Sequence, residues 1–250
     1  MKNLLLTLCF DGSGYHGWQV QENAVTVQST LQDAVERILG VRENIIGCSR
    51  TDAGVHAEMF CCNMRTAKEM PPEKLQTALN AVLPRDIAVL SVKEVPYEFH
   101  ARYDCKGKVY KYLIWNAQTR NPFYENRAYH YPWPLDVPML NEQIKAFLGT
   151  HDFSAFCASG SSVEDRVREI TRAEIQKNGD LVEIYIGGNG FLYNMVRIMV
   201  GTLLGIQAGN IPTGSIPWIL EEKDRQNAGV TAPAHGLYLH EVRYYENKNG

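Results

Sequence analysis

A chain of 250 residues, 45% of them hydrophobic and 21% charged, can bury a substantial core as one domain or two, and its even composition excludes disordered, collagen-like and coiled-coil classes. The formal net charge of -3 argues against a surface coated with cations for indiscriminate nucleic-acid binding, while still allowing a local basic cleft. Six cysteines with no C-x-x-C pair and no paired Cys/His ligand spacing imply neither a zinc site nor a disulfide framework, so reduced, buried thiols are expected.

The opening residues resemble the core of a short signal peptide, but Asp11 and Gly12 follow with no small-residue cleavage site, and the stretch Leu4 to Phe10 reads as a first strand. A glycine-rich loop comes next, from Asp11 to Gln19. It lacks both the Gly-Lys-Ser/Thr ending of a phosphate loop and a G-x-G-x-x-G pattern, so its glycines serve close backbone packing, with Tyr15, His16 and Trp18 free to line a groove. Leu31, Ala34, Val35, Ile38 and Leu39 recur at helical spacing and predict a helix over Val27 to Leu39, capped by Thr26 and ended by Gly40. A strand near Asn44 to Ser49, a polar loop, a strand near Glu58 to Met64, a helix from Pro72 to Val82 and a strand from Ile87 to Val95 complete a βαββαβ order.

The order then repeats. Lys108 to Asn116 reads as a strand and Leu135 to Leu148 as a helix, followed by strands near Arg166 to Gln176 and Leu181 to Ile186. A helix from Gly190 to Gln207 and a strand from Leu237 to Tyr244 close the chain. The expected fold is α+β: two ferredoxin-like βαββαβ halves, residues 1–103 and 104–250, forming a mixed, largely antiparallel sheet with helices against one side. The most apolar stretch, Phe191 to Ile206, carries Asn194, Arg197 and Thr202 and falls short of a membrane span, so a soluble, cytoplasmic protein is expected.

Three segments can carry chemistry. The loop Cys48-Ser49-Arg50-Thr51-Asp52-Ala53-Gly54-Val55-His56-Ala57 gathers a carboxylate, a guanidinium and an imidazole between two strands, although Asp-Ala-Gly also suits an ordinary tight turn. In the late helix Arg197 is the one charged residue on an otherwise apolar cylinder, and a buried guanidinium needs a carboxylate or several acceptors. Asp52 is the candidate partner; the alternatives are a side chain that snorkels to the surface or a pair with Glu183. Gly201 and Gly205, one turn apart, would let another backbone come close. The third segment, His100-Ala101-Arg102 with Lys106, Lys108, Tyr110, Lys111 and Tyr112, interleaves cations with aromatics. It fits equally a surface for single-stranded or flipped nucleotides and a strand with a solvated basic edge.

In order and from end to end, these segments resemble the tRNA pseudouridine synthase A family. The resemblance is carried by Phe10-Asp11-Gly12-Ser13-Gly14-Tyr15-His16-Gly17-Trp18-Gln19, by Arg50-Thr51-Asp52-Ala53-Gly54-Val55-His56-Ala57, by Asn80-Ala81-Val82-Leu83-Pro84 and by Phe99-His100-Ala101-Arg102. Tyr110-Lys111-Tyr112, Met195-Val196-Arg197 and Gly236-Leu237-Tyr238-Leu239 continue it. It implies the pseudouridine synthase fold and a cofactor-free, metal-free isomerase acting on uridines 38 to 40 of the tRNA anticodon arm. By the same resemblance Asp52 is the catalytic carboxylate, Tyr110 stacks on the target base and Arg197 pairs with Asp52. Leu237 packs against the uracil pocket, Arg50 aids RNA binding or base extrusion, and His56 supports the loop. A homodimer sharing RNA-binding clefts is also implied. The stretch Glu164-Asp165-Arg166-Val167-Arg168 departs from relatives, which often carry a basic residue and Thr before an Arg. The rival from another class is a noncatalytic RNA-binding module built from paired ferredoxin-like units; a nucleosidase releasing free base is the second rival.

Overall fold

The structure, a computed structural model, describes residues 1–160 and 163–244. Residues 161, 162 and 245–250, part of the half expected over 104–250, lie outside the described residues. The described residues group into two compact units, one of Met1–Lys106 with Leu239 to Tyr244, the other within Gly107–Tyr238.

In the first unit Lys2–Phe10 forms β1, with Leu4, Leu6, Leu8 and Phe10 alternating onto one buried face. Val27–Leu39 forms α1, whose start is fixed by a reciprocal cap between Thr26 and Ser29 and whose end is fixed by Gly40 in the left-handed region (φ 69°). Ile45–Gly47 is β2 and His56–Thr66 is β3. Pro72–Val82 forms α2, burying Leu75 and Leu79, and Ile87–Val95 forms β4. The strands pair antiparallel in the order β4-β1-β3-β2, and α1 packs on α2, which packs on β4. This is the ferredoxin-like arrangement, with both helices on one side. Because β2 pairs with β3 only between Ile45↔Met64 and Gly47↔Cys62, the Asp52 segment emerges as a long connection between them.

Cys105–Trp115 is β5, in the second unit from Gly107, where Tyr129–His130 is β6 and Val137–Ile144 is α3. Gly149–Asp152 is β7, Val167–Asn178 is β8 and Leu181–Gly188 is β9. Met195–Gln207 is α4 and Ile216–Glu222 is α5. Here the order is β5-β9-β8-β7, antiparallel, with β6 parallel to β5, and α3 lies on β8. The last strand, β10 (Leu237–Tyr244), falls mostly in the first unit by contact, where His240 Nδ1 lies 2.5 Å from Glu58 Oε2 of β3. The sequence pattern counts that strand with the second half.

Two helices are shorter than expected. The helix expected from Gly190 begins at Met195, because Asn194 sits in the left-handed region (φ 58°) and the chain after β9 is still tied to β8. Those ties are Asn189 N to the Glu169 carbonyl (3.1 Å) and Glu169 N to Asn189 Oδ1 (3.0 Å). The helix expected over Leu135 to Leu148 starts after Asp136, which caps Met139 N at 3.0 Å, and tightens into a 3-10 turn over Lys145–Phe147. Among the described residues no helix is long and apolar enough to cross a membrane.

Candidate functional site

In the first unit the loop bearing Asp52 is gripped by the glycine-rich loop that follows β1. A Cβ on Gly12 would stand 2.0 Å from the Val55 carbonyl oxygen, and one on Gly17 (φ +85°) would stand 2.4 Å from that of Thr51. No side chain fits at either place. The closeness lets Trp18 N donate to the Thr51 carbonyl (3.1 Å) and Gly54 N donate to the Tyr15 carbonyl (3.2 Å). Val55 N closes the turn onto the Asp52 carbonyl at 3.1 Å, with Gly54 at φ +76°. The tight turn and the polar cluster are therefore one object: the turn is what presents Asp52.

His56, 2% exposed, accepts a hydrogen bond from Gly12 N on Nδ1 at 3.1 Å, and the same atom is 3.2 Å from Asp11 Oδ1. Its ring ties the two loops together. Asp52 is half-buried and Arg50 exposed, whereas Thr51 is buried, and its Oγ1 has no hydrogen-bond partner among the described residues. The groove expected of Tyr15, His16 and Trp18 is corrected by burial. Trp18 stacks on Phe60 (centroids 4.1 Å apart), and Tyr15 donates its hydroxyl to Asp86 Oδ1 at 2.7 Å. Burial, then the Asp86 carboxylate, pushes the Tyr15 phenol well above its ordinary range. Both rings are core and only His16 is exposed.

In the second unit Lys108, Tyr110 and Tyr112 take alternate places on β5, paired across to Gly188, Ile186 and Ile184 of β9. Tyr112 is fully buried and donates its hydroxyl to the Pro233 carbonyl at 2.8 Å. Its ring passes beneath Gly236, where a Cβ would come within 2.6 Å of Cζ, and Leu237 follows, buried. Burial drives the Tyr112 phenol upward, opposed in part by the charge of Arg197. Tyr110 is 6% exposed, with its ring edge-on to Phe191 at 5.0 Å.

Arg197 is half-buried at the start of α4. Its Nε donates to the Ala232 carbonyl (2.7 Å) and its Nη1 to Asn194 Oδ1 (2.8 Å), while Ala232 N returns a bond to the Arg197 carbonyl (3.1 Å). Two glycines make this possible. A Cβ on Gly201 would stand 1.7 Å from the Val230 carbonyl oxygen, and one on Gly229 would stand 2.4 Å from Gly201 C and Thr202 N. Thr202, fully buried, donates to the Ile198 carbonyl and accepts from Gly229 N, both at 2.8 Å. The close backbone approach expected at Gly201 is present; at Gly205 the neighbour is the Ile211 side chain instead. Glu183, the acid named as an alternative partner, lies 3.9 Å from Lys111 Nζ. The same 228–233 segment lines an apolar cleft of about 900 Å³ with Tyr129, Tyr131, Trp133 and Leu204.

Tyr110, Arg197 and Leu237 thus belong to the second unit, where Tyr112 neighbours both Arg197 and the Leu237 turn, and Asp52 and Arg50 belong to the first. Phe191, Asn194, Thr202 and Gly229 escape sequence reasoning as parts of this assembly. An Asn placed just before an apolar run is the one available signal, since Asn tolerates the left-handed conformation.

Comparisons with known proteins cover nearly all of the chain. The family model described as tRNA pseudouridine synthase matches residues 8–104 and 144–245. A tRNA pseudouridine synthase A of Thermoanaerobacter sp. (strain X514) is 48% identical over 244 residues, covering 98% of this chain and 100% of the relative. Proteins of the same name from Clostridium acetobutylicum and Caldicellulosiruptor bescii are 46% and 43% identical, each over 98% of this chain and 100% of its own length.

Proposed function

The chain belongs to the tRNA pseudouridine synthase family, isomerases of tRNA uridine, and from that premise we propose that it converts uridines 38 to 40 of the anticodon arm to pseudouridine with the carboxylate of Asp52 as its catalytic group. The reaction breaks the bond from uracil N1 to the ribose anomeric carbon, turns the base and joins C5 to that carbon, and the C5 hydrogen leaves to water. Oxidation state is unchanged, so neither hydride carrier nor metal is required. One carboxylate serves either by covalent attack or by removing a ribose proton. A glycoside hydrolase would instead employ a second carboxylate to attack or to activate water.

The observation that carries this reading is the turn around Asp52, held by backbone contacts at Gly12 and Gly17 that tolerate no side chain. Rigid presentation of a half-buried acid is what a positioned catalytic group needs. Tyr110 is the stacking partner for the extruded base, Leu237 a wall of the uracil pocket and Arg50 an RNA contact. Arg197 is the ionic partner that the family resemblance gives Asp52. The enzyme works in the cytoplasm as a homodimer whose chains together form the basic clefts for tRNA, which reconciles RNA binding with a net charge of -3.

The test is incubation with tRNA tritiated at uracil C5, followed by mapping of the product. Wild-type protein releases the label to water without freeing uracil. Asp52→Asn keeps tRNA affinity and loses roughly three orders of magnitude or more in turnover. No tritium release by the parent, or free uracil among the products, defeats the reading.

A further inference from the structure

The segment 96–104, between β4 and β5, is held from beneath by two buried asparagines. Asn3, 1% exposed, donates Nδ2 to the carbonyls of Pro96, Tyr97 and Phe99 at 3.2, 3.2 and 2.8 Å. Asn63, fully buried, donates Nδ2 to Asn3 Oδ1 at 2.9 Å and accepts Ala101 N on Oδ1 at 2.8 Å. Tyr244 adds a bond from its hydroxyl to the Ala101 carbonyl at 2.7 Å. Burying two primary amides is unfavourable unless their groups are satisfied, and here most of their bonds go to the backbone of this one segment. Such a network specifies a loop shape.

The shape it specifies turns outward. Ala101 is fully buried, yet the next two residues, Arg102 and Tyr103, are exposed, Tyr103 to 75%. Tyr103 is not loose: its ring stacks on His100 with centroids 4.2 Å apart and planes 30° apart. His100 is itself fixed, since its Nδ1 accepts Arg102 N and Tyr103 N, each at 3.2 Å, and its own N–H donates to Asp104 Oδ2 at 2.8 Å. One face of the phenol is covered by the imidazole, most of the residue is open to solvent, and its neighbour in the chain is an exposed arginine. Core packing gives no account of a rigid aromatic displayed in this way.

We propose that the His100–Tyr103 stack with Arg102 is an RNA-contacting surface that takes an unpaired nucleotide of the substrate, the outer face of Tyr103 stacking on a base and Arg102 meeting a neighbouring phosphate. An aromatic platform beside a cation suits single-stranded nucleic acid and tolerates any base, because every base has a π-face. In a chain of net charge -3 phosphate contacts must be local, and Lys106, also exposed, adds a second cation to a segment whose acids are Glu98 and Asp104. The inference rests on the tRNA reading above and adds a contact to it.

The experiment measures the dissociation constant for a tRNA transcript over a range of salt, with KM and thermal stability, for the full chain. Tyr103→Ala weakens binding roughly tenfold while Tyr103→Phe stays close to the parent, and Arg102→Ala lowers the slope of log affinity against log salt by about one. The larger part of each loss appears in KM. Parental affinity in both alanine variants overturns the proposal, as does equal damage from Phe and Ala, or a loss that tracks a fall in thermal stability. Failure here is separable from failure of the catalytic reading: a parent that releases tritium while Tyr103→Ala binds as well as it does refutes this surface alone.

Discussion

The two units present their key side chains by the same device used for opposite ends. Around Asp52, a half-buried residue, glycines of one loop let the backbone of another come into contact, on main-chain atoms of Thr51, Gly54 and Val55. Around Arg197, Gly201 and Gly229 bring a loop onto a helix, and the grip reaches the side chain itself through the Ala232 carbonyl and Asn194. Backbone contacts place the Cα of the acid, and hydrogen-bond acceptors engage the guanidinium. That difference follows from chemistry: a short carboxylate has little freedom once its Cα is placed, whereas a guanidinium on a long stem is located only when its donors are engaged.

The sharpest way to break the comparison is to fill the contacts. Gly201→Ala forces a carbon into the Val230 carbonyl and Gly17→Ala adds a left-handed conformation to a clash. Each should cost about 2 to 3 kcal/mol or more, read as a lower denaturation midpoint in urea. An unchanged midpoint for either would show that the loops are not clamped. Next in size, Thr202→Val removes the acceptor for the buried Gly229 N–H, at a cost of about 1 to 3 kcal/mol, while Thr202→Ser restores most of it. Turnover should follow stability in this pair if the loop positions Arg197; equal turnover in Val and Ser would separate the loop from the site.

The last effect is read by pH. Burial pushes the Cys61 thiol of β3 up to about 11. A raised thiol pKa means that stability is fully present below the ordinary value near 9 and is lost as pH rises toward 11. Thermal unfolding should therefore move to lower temperature across that window, and Cys61→Ala should flatten the decline. Tyr112, raised further by burial in the second unit, adds a loss of its own that starts at the ordinary phenol value of 10.0 and continues upward.

Much of this is legible in the sequence. Val27–Leu39, Pro72–Val82 and Ile87–Val95 appear where periodicity, the Thr26 cap and the Gly40 stop put them, because those signals act within a few residues. The family, too, is legible in local strings such as Arg50-Thr51-Asp52-Ala53-Gly54-Val55-His56. What escaped depends on distant partners. β7 has only four residues and exists through its pairing with β8, and α5 has seven, too few for a period to declare itself. Tyr15 and Trp18 look like groove residues in a polar, glycine-rich string, and only Asp86 and Phe60, far along the chain, make them core.

The sequence by itself determined the elements with local codes, the family and the identity of the candidate acid, since propensity, capping and motif are properties of neighbouring residues. Tertiary structure alone decided which backbones meet at Gly12, Gly17, Gly201 and Gly229, where α4 begins, and that Tyr103 stands outward on a buried asparagine network. Those are contacts between segments remote in the chain, and no local pattern records the neighbour that a missing side chain makes room for.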